Sequence, residues 1–136
     1  MRVAAPSDGD IDVFFNHYDE FKNNKAVYKK TFEYINIIKY LFVEEDKWEN
    51  VYPTLLPNWD RSPRSGKKAN IYKNSTPENF RKHLSSALEI IKDKNEEHKI
   101  LFLMSWNEWG EGNYVEPDIK YGHGYLKVLK DELFIK

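Results

Sequence analysis

The feature that most limits how this chain can fold is a short apolar run, Ile100-Leu101-Phe102-Leu103-Met104. A continuous run of this length is typical of a strand buried on both faces, as in a parallel sheet covered by helices. The sequence before it predicts a helix with one apolar face, formed by Phe80, Leu84, Ala87, Leu88 and Ile91. A helix followed by a buried strand is typical of the alternating order of an α/β fold.

Start signals mark the beginning of this helix. Ser75 and Thr76 are candidate N-caps, Pro77 suits the first turn, and Glu78 can close a capping box on Ser75. A second helix is predicted over residues 125–134, with an apolar face formed by Leu126, Leu129 and Leu133.

The rest of the chain is patterned less clearly. Residues 11–15 predict a buried strand. In residues 27–43 the apolar spacing fits a helix, whereas the Tyr, Ile and Thr content suits strands, so both structures stay open. Residues 48–56 favour a strand that leads into a loop, because prolines interrupt any helix there. Residues 57–74 are rich in turn formers and predict a long loop.

The predicted order is strand, loop, helix, strand, loop, helix, or about three βα units. A closed barrel needs roughly 200–250 residues or more, so these units cannot close one. The 136-residue chain is therefore either an incomplete piece of a barrel or a smaller open sheet.

Composition excludes several classes of function. Charges are nearly balanced at net −1, and no basic stripe indicates a nucleic-acid partner. The absence of cysteine excludes disulfides and thiolate metal sites, and no apolar run approaches the ~20 residues of a membrane span. The first residues do not resemble a signal peptide, so a cytoplasmic location is predicted.

The loop after the apolar run is crowded with acidic residues: Glu108, Glu111, Glu116 and Asp118. In parallel α/β folds, active sites gather at the carboxyl ends of strands, where this loop begins. Such crowding serves metal binding or acid–base chemistry, and the alternating ligands of a calcium loop are missing. The alternative is a solvated acidic turn whose tryptophans cover the end of the fold.

Glycoside chemistry fits two of these carboxylates. It needs two carboxyl groups facing one bond, in environments that separate their pKa values. Glu108 and Glu111, three residues apart, can face one pocket with Trp106 and Trp109 as its walls. Glycines at positions 110 and 112 allow the tight backbone path that this requires.

Two blocks of sequence resemble a known family. Residues 105–118, Ser-Trp-Asn-Glu-Trp-Gly-Glu-Gly-Asn-Tyr-Val-Glu-Pro-Asp, with Tyr121-Gly122 and Tyr125-Leu126 after them, resemble the C-terminal signature of WbsX-like proteins. Residues 57–64, Pro-Asn-Trp-Asp-Arg-Ser-Pro-Arg, preceded by Tyr52-Pro53, resemble a second loop of that family. The match covers residues 48–130, and residues 1–47 fit loosely.

WbsX-like proteins are often labelled glycosyltransferases of lipopolysaccharide O-antigen synthesis, and they are similar to the glycoside hydrolase family 99 endo-mannosidases. The resemblance implies that residues 1–136 form a single partial domain, the C-terminal portion of a (β/α)8 TIM barrel. It implies an oligo- or polysaccharide substrate, and neither a cofactor nor a metal.

The endo-mannosidases carry two catalytic glutamates three residues apart in the matching loop. The resemblance implies that Glu108 acts as the base on the sugar 2-hydroxyl. This hydroxyl then displaces the leaving group and forms an anhydro-sugar intermediate. Glu111 is then the general acid on the leaving oxygen, and afterwards the base that activates water. Two departures bear on which substrate is used. Gly110 stands where the endo-mannosidases have a histidine, and Asp60-Arg61 stands where the WbsX-like loop commonly has an Asp-Asn pair.

Further residues have alternative roles. Trp59 either stacks on a sugar or packs beneath its loop, while Asp60 and Arg64 either bind hydroxyls or pair with each other. Asn107 either orients Glu108 or binds a hydroxyl. The full set predicted to bind substrate is Trp59, Asp60, Arg64, Trp106, Asn107, Trp109 and Tyr114.

Other polar and aromatic residues are predicted to be structural. Glu116 and Asp118 shape the loop, Tyr125 packs the last helix, and His123 lies in a surface turn. Three more histidines have no partner at metal-ligand spacing: His17, His83 and His98.

Three functions stay open. The first is action at a glycosidic bond through the glutamate pair, by hydrolysis or transfer. The second is a sugar-nucleotide-dependent glycosyltransferase, although no Gly-rich phosphate loop follows a predicted strand. The third is a non-catalytic fragment with residual glycan binding.

Overall fold

The computed structural model describes residues 30–134, so the strand predicted at residues 11–15 lies outside it. The described elements are β1 (Lys30–Glu33), α1 (Tyr34–Ile37), β2 (Thr54–Leu55), α2 (Ser62–Ser65), β3 (Asn70–Lys73), α3 (Pro77–Ile91), β4 (Phe102–Leu103), β5 (Asn107–Glu108), β6 (Asn113–Tyr114) and α4 (Gly124–Leu133). Short 3-10 turns lie at Glu44–Lys47, Gly66–Lys68, Glu96–His98 and Trp109–Glu111.

The strands form three separate pairs. β1 runs parallel to β3, β2 runs parallel to β4, and β5 forms an antiparallel hairpin with β6. The predicted α/β class is confirmed, and residues 30–134 contain no closed barrel. No helix in this range is both long and apolar enough to cross a membrane.

The core lies between α3, α4 and the β2–β4 pair. It is a cluster of buried side chains formed by Leu55, Phe80, Leu84, Ala87, Val115, Tyr125 and Val128. The predicted apolar face of α3 is confirmed, because four of its five residues are buried and Leu88 packs against the cluster.

The predicted start of α3 is confirmed at Thr76 and wrong at Ser75. Thr76 Oγ1 accepts a hydrogen bond from the backbone N–H of Asn79 at 3.1 Å, whereas Ser75 Oγ donates to the carbonyl of Tyr72 at 2.8 Å. Because Thr76 is the N-cap, the third helical residue, which would complete a capping box, is Asn79. The predicted capping box between Ser75 and Glu78 therefore does not form.

The long loop predicted over residues 57–74 is wrong in two places, because α2 and β3 lie within it. β3 exists by pairing with β1, where Tyr72 lies opposite Phe32 and their ring centroids are 6.3 Å apart. Helix and strand both stayed open for residues 27–43, and the described part of that range, residues 30–43, contains one of each, β1 and α1. Within residues 48–56, only β2 is a strand.

The apolar run at residues 100–104 is less buried than predicted. β4 covers two of its residues and has one neighbouring strand among the described residues, β2. Leu101 and Leu103 pack against the core, but Phe102 exposes 54% of its surface and Ile100 exposes 42%. Burial on both faces is therefore wrong for residues 30–134, because nothing in this range covers the second face.

The apolar face of α4 is also rotated from the predicted one. Tyr125 and Val128 are its buried residues, while Leu126 and Leu129 are partly buried and Leu133 is exposed. The packing role of Tyr125 is confirmed, because its ring lies 5.7 Å from that of Phe80 and its hydroxyl donates to the carbonyl of Ser75. Tyr125 and Val128 are thus the buried centre of the face that α4 turns to the core, and Leu126 and Leu129 pack at its edge.

His83 is a fully buried residue of α3 with a structural role. Its Nε2 accepts a hydrogen bond from the backbone N–H of Leu56 at 3.1 Å, and its ring stacks on Phe42 with centroids 4.8 Å apart. Burial lowers the pKa of His83 from 6.5 to about 4. The neutral imidazole therefore helps to hold the strand end at Leu56 against α3.

This shift predicts a pH-dependent stability. In the unfolded chain His83 binds a proton near pH 6.5, whereas in the folded chain it does so only near pH 4. Its contribution is therefore complete above about pH 6.5 and is lost as the pH falls towards 4, by about 3 kcal/mol in total. We expect His83→Gln, which keeps an acceptor, to lose less unfolding free energy than the wild type between pH 7 and pH 4 in denaturant titrations. Equal losses would contradict the assignment.

Candidate active site

The acidic loop is built as a hairpin after β4. Ser105 Oγ accepts hydrogen bonds from the backbone N–H groups of Asn107, at 3.2 Å, and Glu108, at 2.9 Å. β5 and β6 then pair, with Glu108 opposite Asn113, and the Trp109–Glu111 turn joins them. Sequence reasoning missed Ser105, although a hydroxyl residue just before a tight turn is a common turn former.

One arginine joins the two predicted catalytic carboxylates. Arg64 Nη1 donates to Glu111 Oε1 at 2.9 Å, and Arg64 Nη2 donates to Glu108 Oε1 at 3.0 Å. Arg61 Nη2 lies 3.3 Å from the same Glu111 oxygen. Glu111 is the more buried of the two, with 21% of its side chain exposed against 43% for Glu108. The structure thus brings the predicted pair together around a single guanidinium.

The predicted sugar ligands Arg64 and Asp60 do not pair with each other. Arg64 binds the two glutamates instead, and Asp60 Oδ1 accepts from the backbone N–H of Ser62 at 2.8 Å, at the start of α2. The backbone N–H of Asp60 donates to the carbonyl of Glu111 at 3.0 Å. Arg61, which the sequence marked only as a departure from the family pattern, also contacts Glu111.

Two glycines allow this close approach of the loops. Gly112 has φ +56°, and a Cβ there would lie 2.5 Å from the carbonyl oxygen of Asp60. At Gly110, a Cβ would lie 2.9 Å from Arg64 Nη2 and 3.0 Å from Glu108 Oε1. The expected need for glycine has a steric cause at Gly112, where the neighbour is backbone, whereas at Gly110 the neighbours are the flexible ends of two side chains.

Buried amides lock the two loops together. Asn58 Oδ1 accepts from the backbone N–H of Tyr114 at 2.8 Å, and its Nδ2 donates to the carbonyl of the same residue at 3.1 Å. Asn113 Nδ2 donates to the carbonyl of Asn58 at 2.7 Å. Sequence reasoning quoted both asparagines within the family blocks but assigned neither of them a role.

Beside the carboxylates lies an aromatic recess of about 400 Å³, which is lined by the rings of Trp59, Tyr72, Trp109, Tyr114, Tyr121 and Tyr125. Trp109 stacks on Tyr114 with centroids 3.7 Å apart and an interplanar angle of 15°. Trp59 lies against Tyr72, with centroids 6.3 Å apart. Flat aromatic walls of this kind suit the C–H face of a sugar ring.

Acidic residues of the loop hold these rings in place. Trp109 Nε1 donates to Glu116 Oε2 at 2.7 Å, and the Tyr114 hydroxyl donates to Asp118 Oδ2 at 3.0 Å. Burial, helped by that hydrogen bond, raises the pKa of Tyr114 to about 12. The loop-shaping role predicted for Glu116 and Asp118 agrees with these contacts.

The seven predicted substrate-binding residues divide into three groups, one of which is Arg64 alone, bound to the two glutamates. Trp59, Asp60, Trp109 and Tyr114 line the aromatic recess. Trp106 exposes 50% of its surface, and Asn107 is also exposed; neither lines the recess. Residues 30–134 contain no group of three or more carboxylates and histidines placed to hold a metal ion.

Comparison with known proteins identifies the family. The sequence pattern described as Glycosyltransferase WbsX matches residues 7–129. The chain belongs to this WbsX family. It is also 32% identical over 84 residues to the protein called uncharacterized protein WxcX in two strains of Xanthomonas campestris pv. campestris. That alignment covers 61% of this chain and 12% of each relative, so the chain spans a small share of their length. No solved structure matches the chain.

The contact at Gly112 predicts a large cost for any side chain. Gly112→Ala combines a left-handed backbone with a clash against Asp60, and we expect a loss of roughly 3 kcal/mol or more in unfolding free energy. Gly122→Ala is the matched control, because Gly122 has φ +54° with nothing within 4 Å of the added Cβ. It should lose only about 1 kcal/mol in denaturant titrations. Similar losses in both variants would refute the close approach.

Proposed function

We propose that this WbsX-family chain acts at a glycosidic bond of an oligo- or polysaccharide, with Glu108 and Glu111 as the working carboxylates. The observation that carries the proposal is the Arg64 guanidinium, which binds one oxygen of each glutamate at 3.0 and 2.9 Å. Two carboxylates on one donor group, beside an aromatic recess, are the parts that glycoside chemistry requires.

The roles of the two glutamates follow the resemblance to the endo-mannosidases. Glu108 removes the proton of the sugar 2-hydroxyl, whose oxygen attacks the anomeric carbon and forms an anhydro-sugar. Glu111 gives a proton to the leaving oxygen as the glycosidic bond breaks. Glu111 then takes a proton from the water that opens the anhydro-sugar, and Glu108 returns its proton to the 2-oxygen.

We further propose that the chain is the C-terminal portion of a (β/α)8 barrel. Both strand pairs outside the hairpin are parallel, and the acidic loop follows the carboxyl end of β4. Phe102 and Ile100 leave an apolar face that further strands and helices of a barrel would cover. The small share of the WxcX relatives that the chain spans agrees with this proposal.

Catalysis is tested by the carboxylate variants. The full chain is incubated with mannan-type and O-antigen-type polysaccharides, and released reducing ends are measured. We expect Glu108→Gln and Glu111→Gln each to lower the rate by about 100-fold or more. Glu89→Gln, an exposed change on α3, serves as control and should keep the wild-type rate. Equal turnover by wild type and Glu111→Gln would contradict the role of Glu111 as the general acid.

A sugar-nucleotide-dependent transferase is the second candidate, and the family description favours it. The same assay separates the two candidates when sugar nucleotides are left out or added. Release of free sugar without a nucleotide counts against the transferase. Product that forms only with a sugar nucleotide counts against hydrolysis. Glycan binding without any turnover supports the third hypothesis, a non-catalytic glycan-binding piece.

Binding is tested at the aromatic walls. Trp59→Ala and Trp109→Ala each remove a ring face from the recess, and we expect about tenfold weaker oligosaccharide binding by calorimetry. Trp48→Ala is the control, because Trp48 exposes 58% of its surface and does not line the recess. A loss of affinity as large in Trp48→Ala as in the two recess variants would count against this sugar site.

A further inference from the structure

The aromatic recess contains two positive charges that the described part of the chain does not neutralise. Lys73 at the end of β3 and Lys120 in the turn after Asp118 both line it. Lys120 Nζ lies 5.0 Å from the ring centroid of Tyr121. Within residues 30–134, neither ammonium group lies within ion-pair distance of a carboxylate. Each ammonium therefore offers up to three donors to a ligand.

The carboxylates around the recess already have donors from within the chain. Asp60 accepts from the backbone of α2, and Asp118 accepts from the Tyr114 hydroxyl and from the backbone N–H of Tyr121. Glu33, the register partner of Lys73 on β1, accepts from Asn74 Nδ2 at 2.7 Å. These hydrogen bonds leave the carboxylates their negative charge but hold them in place. Lys73 and Lys120 are the charged side chains lining the recess that have no hydrogen-bond or ion-pair partner among residues 30–134.

We propose that the recess binds a sugar residue that carries an anionic group, either a carboxylate or a phosphate. The sugar ring packs on the aromatic walls, and the anion is bound by Lys73 and Lys120. This inference rests on the proposed function and names the substrate class for it. It deepens the proposal, because the aromatic walls alone would accept any neutral sugar.

The position of the lysines suits the chemistry of the glutamate pair. Neither Glu108 nor Glu111 lines the recess, and the carboxylate that does, Asp60, accepts a hydrogen bond from the backbone N–H of Ser62. Like charges in one small site repel strongly. An anion held by Lys73 and Lys120 is thus bound in a cavity that neither working glutamate lines.

Fluorescence offers a direct test on the full 136-residue chain, because two of its four tryptophans, Trp59 and Trp109, wall the recess. The probes are a uronic-acid disaccharide, its neutral counterpart with a hydroxymethyl group, and a hexose 1-phosphate. We expect the acidic probes to bind about fivefold to tenfold more tightly than the neutral one at low salt. This preference should shrink in 0.5 M salt, roughly in line with screening.

Lysine variants separate this inference from the function on which it rests. The double variant Lys73→Gln, Lys120→Gln should lose the acidic preference and keep neutral binding, whereas Lys82→Gln, on the exposed side of α3, should change neither. Circular dichroism checks that the variants fold. Equal affinity for acidic and neutral probes overturns the inference and leaves the proposed function standing. If no saccharide binds, the result counts against both the inference and the proposed function. Whichever acidic probe binds more tightly, the uronate or the phosphate, shows which anion is used.

Discussion

The site depends on the buried contact between Asn58 and the start of β6. Asn58 and Asn113 are 6% and 1% exposed, and together they form three hydrogen bonds across the two loops. A buried amide that lost these partners would leave unsatisfied polar atoms, each costing about 1–3 kcal/mol. The two loops therefore hold one register, and the side chains that follow in each loop are placed by it.

The carboxylate arrangement follows from that register. Once Asn58 is fixed against Tyr114, the backbone of Asp60 meets Glu111, and α2 carries Arg64 to both glutamates. The geometry thus belongs to two segments that lie far apart in sequence. The aromatic recess is formed by the same junction, because Trp59 comes from the first segment and the stacked Trp109–Tyr114 pair from the second.

Sequence reasoning succeeded where the signal is local. The apolar face of α3 and its N-cap at Thr76 could be predicted because helix periodicity and capping act within a few residues. The strand β3 could not, because its residues lie among turn formers and become a strand only through β1. Likewise, the crowding of acids pointed to Glu108 and Glu111, but nothing local indicated that Arg64 would bind both. The burial predicted for residues 100–104 depends on neighbours that residues 30–134 do not supply.

Gly110 ties two positions of the sequence to one another. The guanidinium of Arg64 occupies the space where a side chain at position 110 would begin, 2.9 Å from its Cβ. A side chain at position 110 would therefore have to displace the flexible end of Arg64 from its present contact with Glu108. Among relatives, the residues at positions 64 and 110 are therefore expected to vary together.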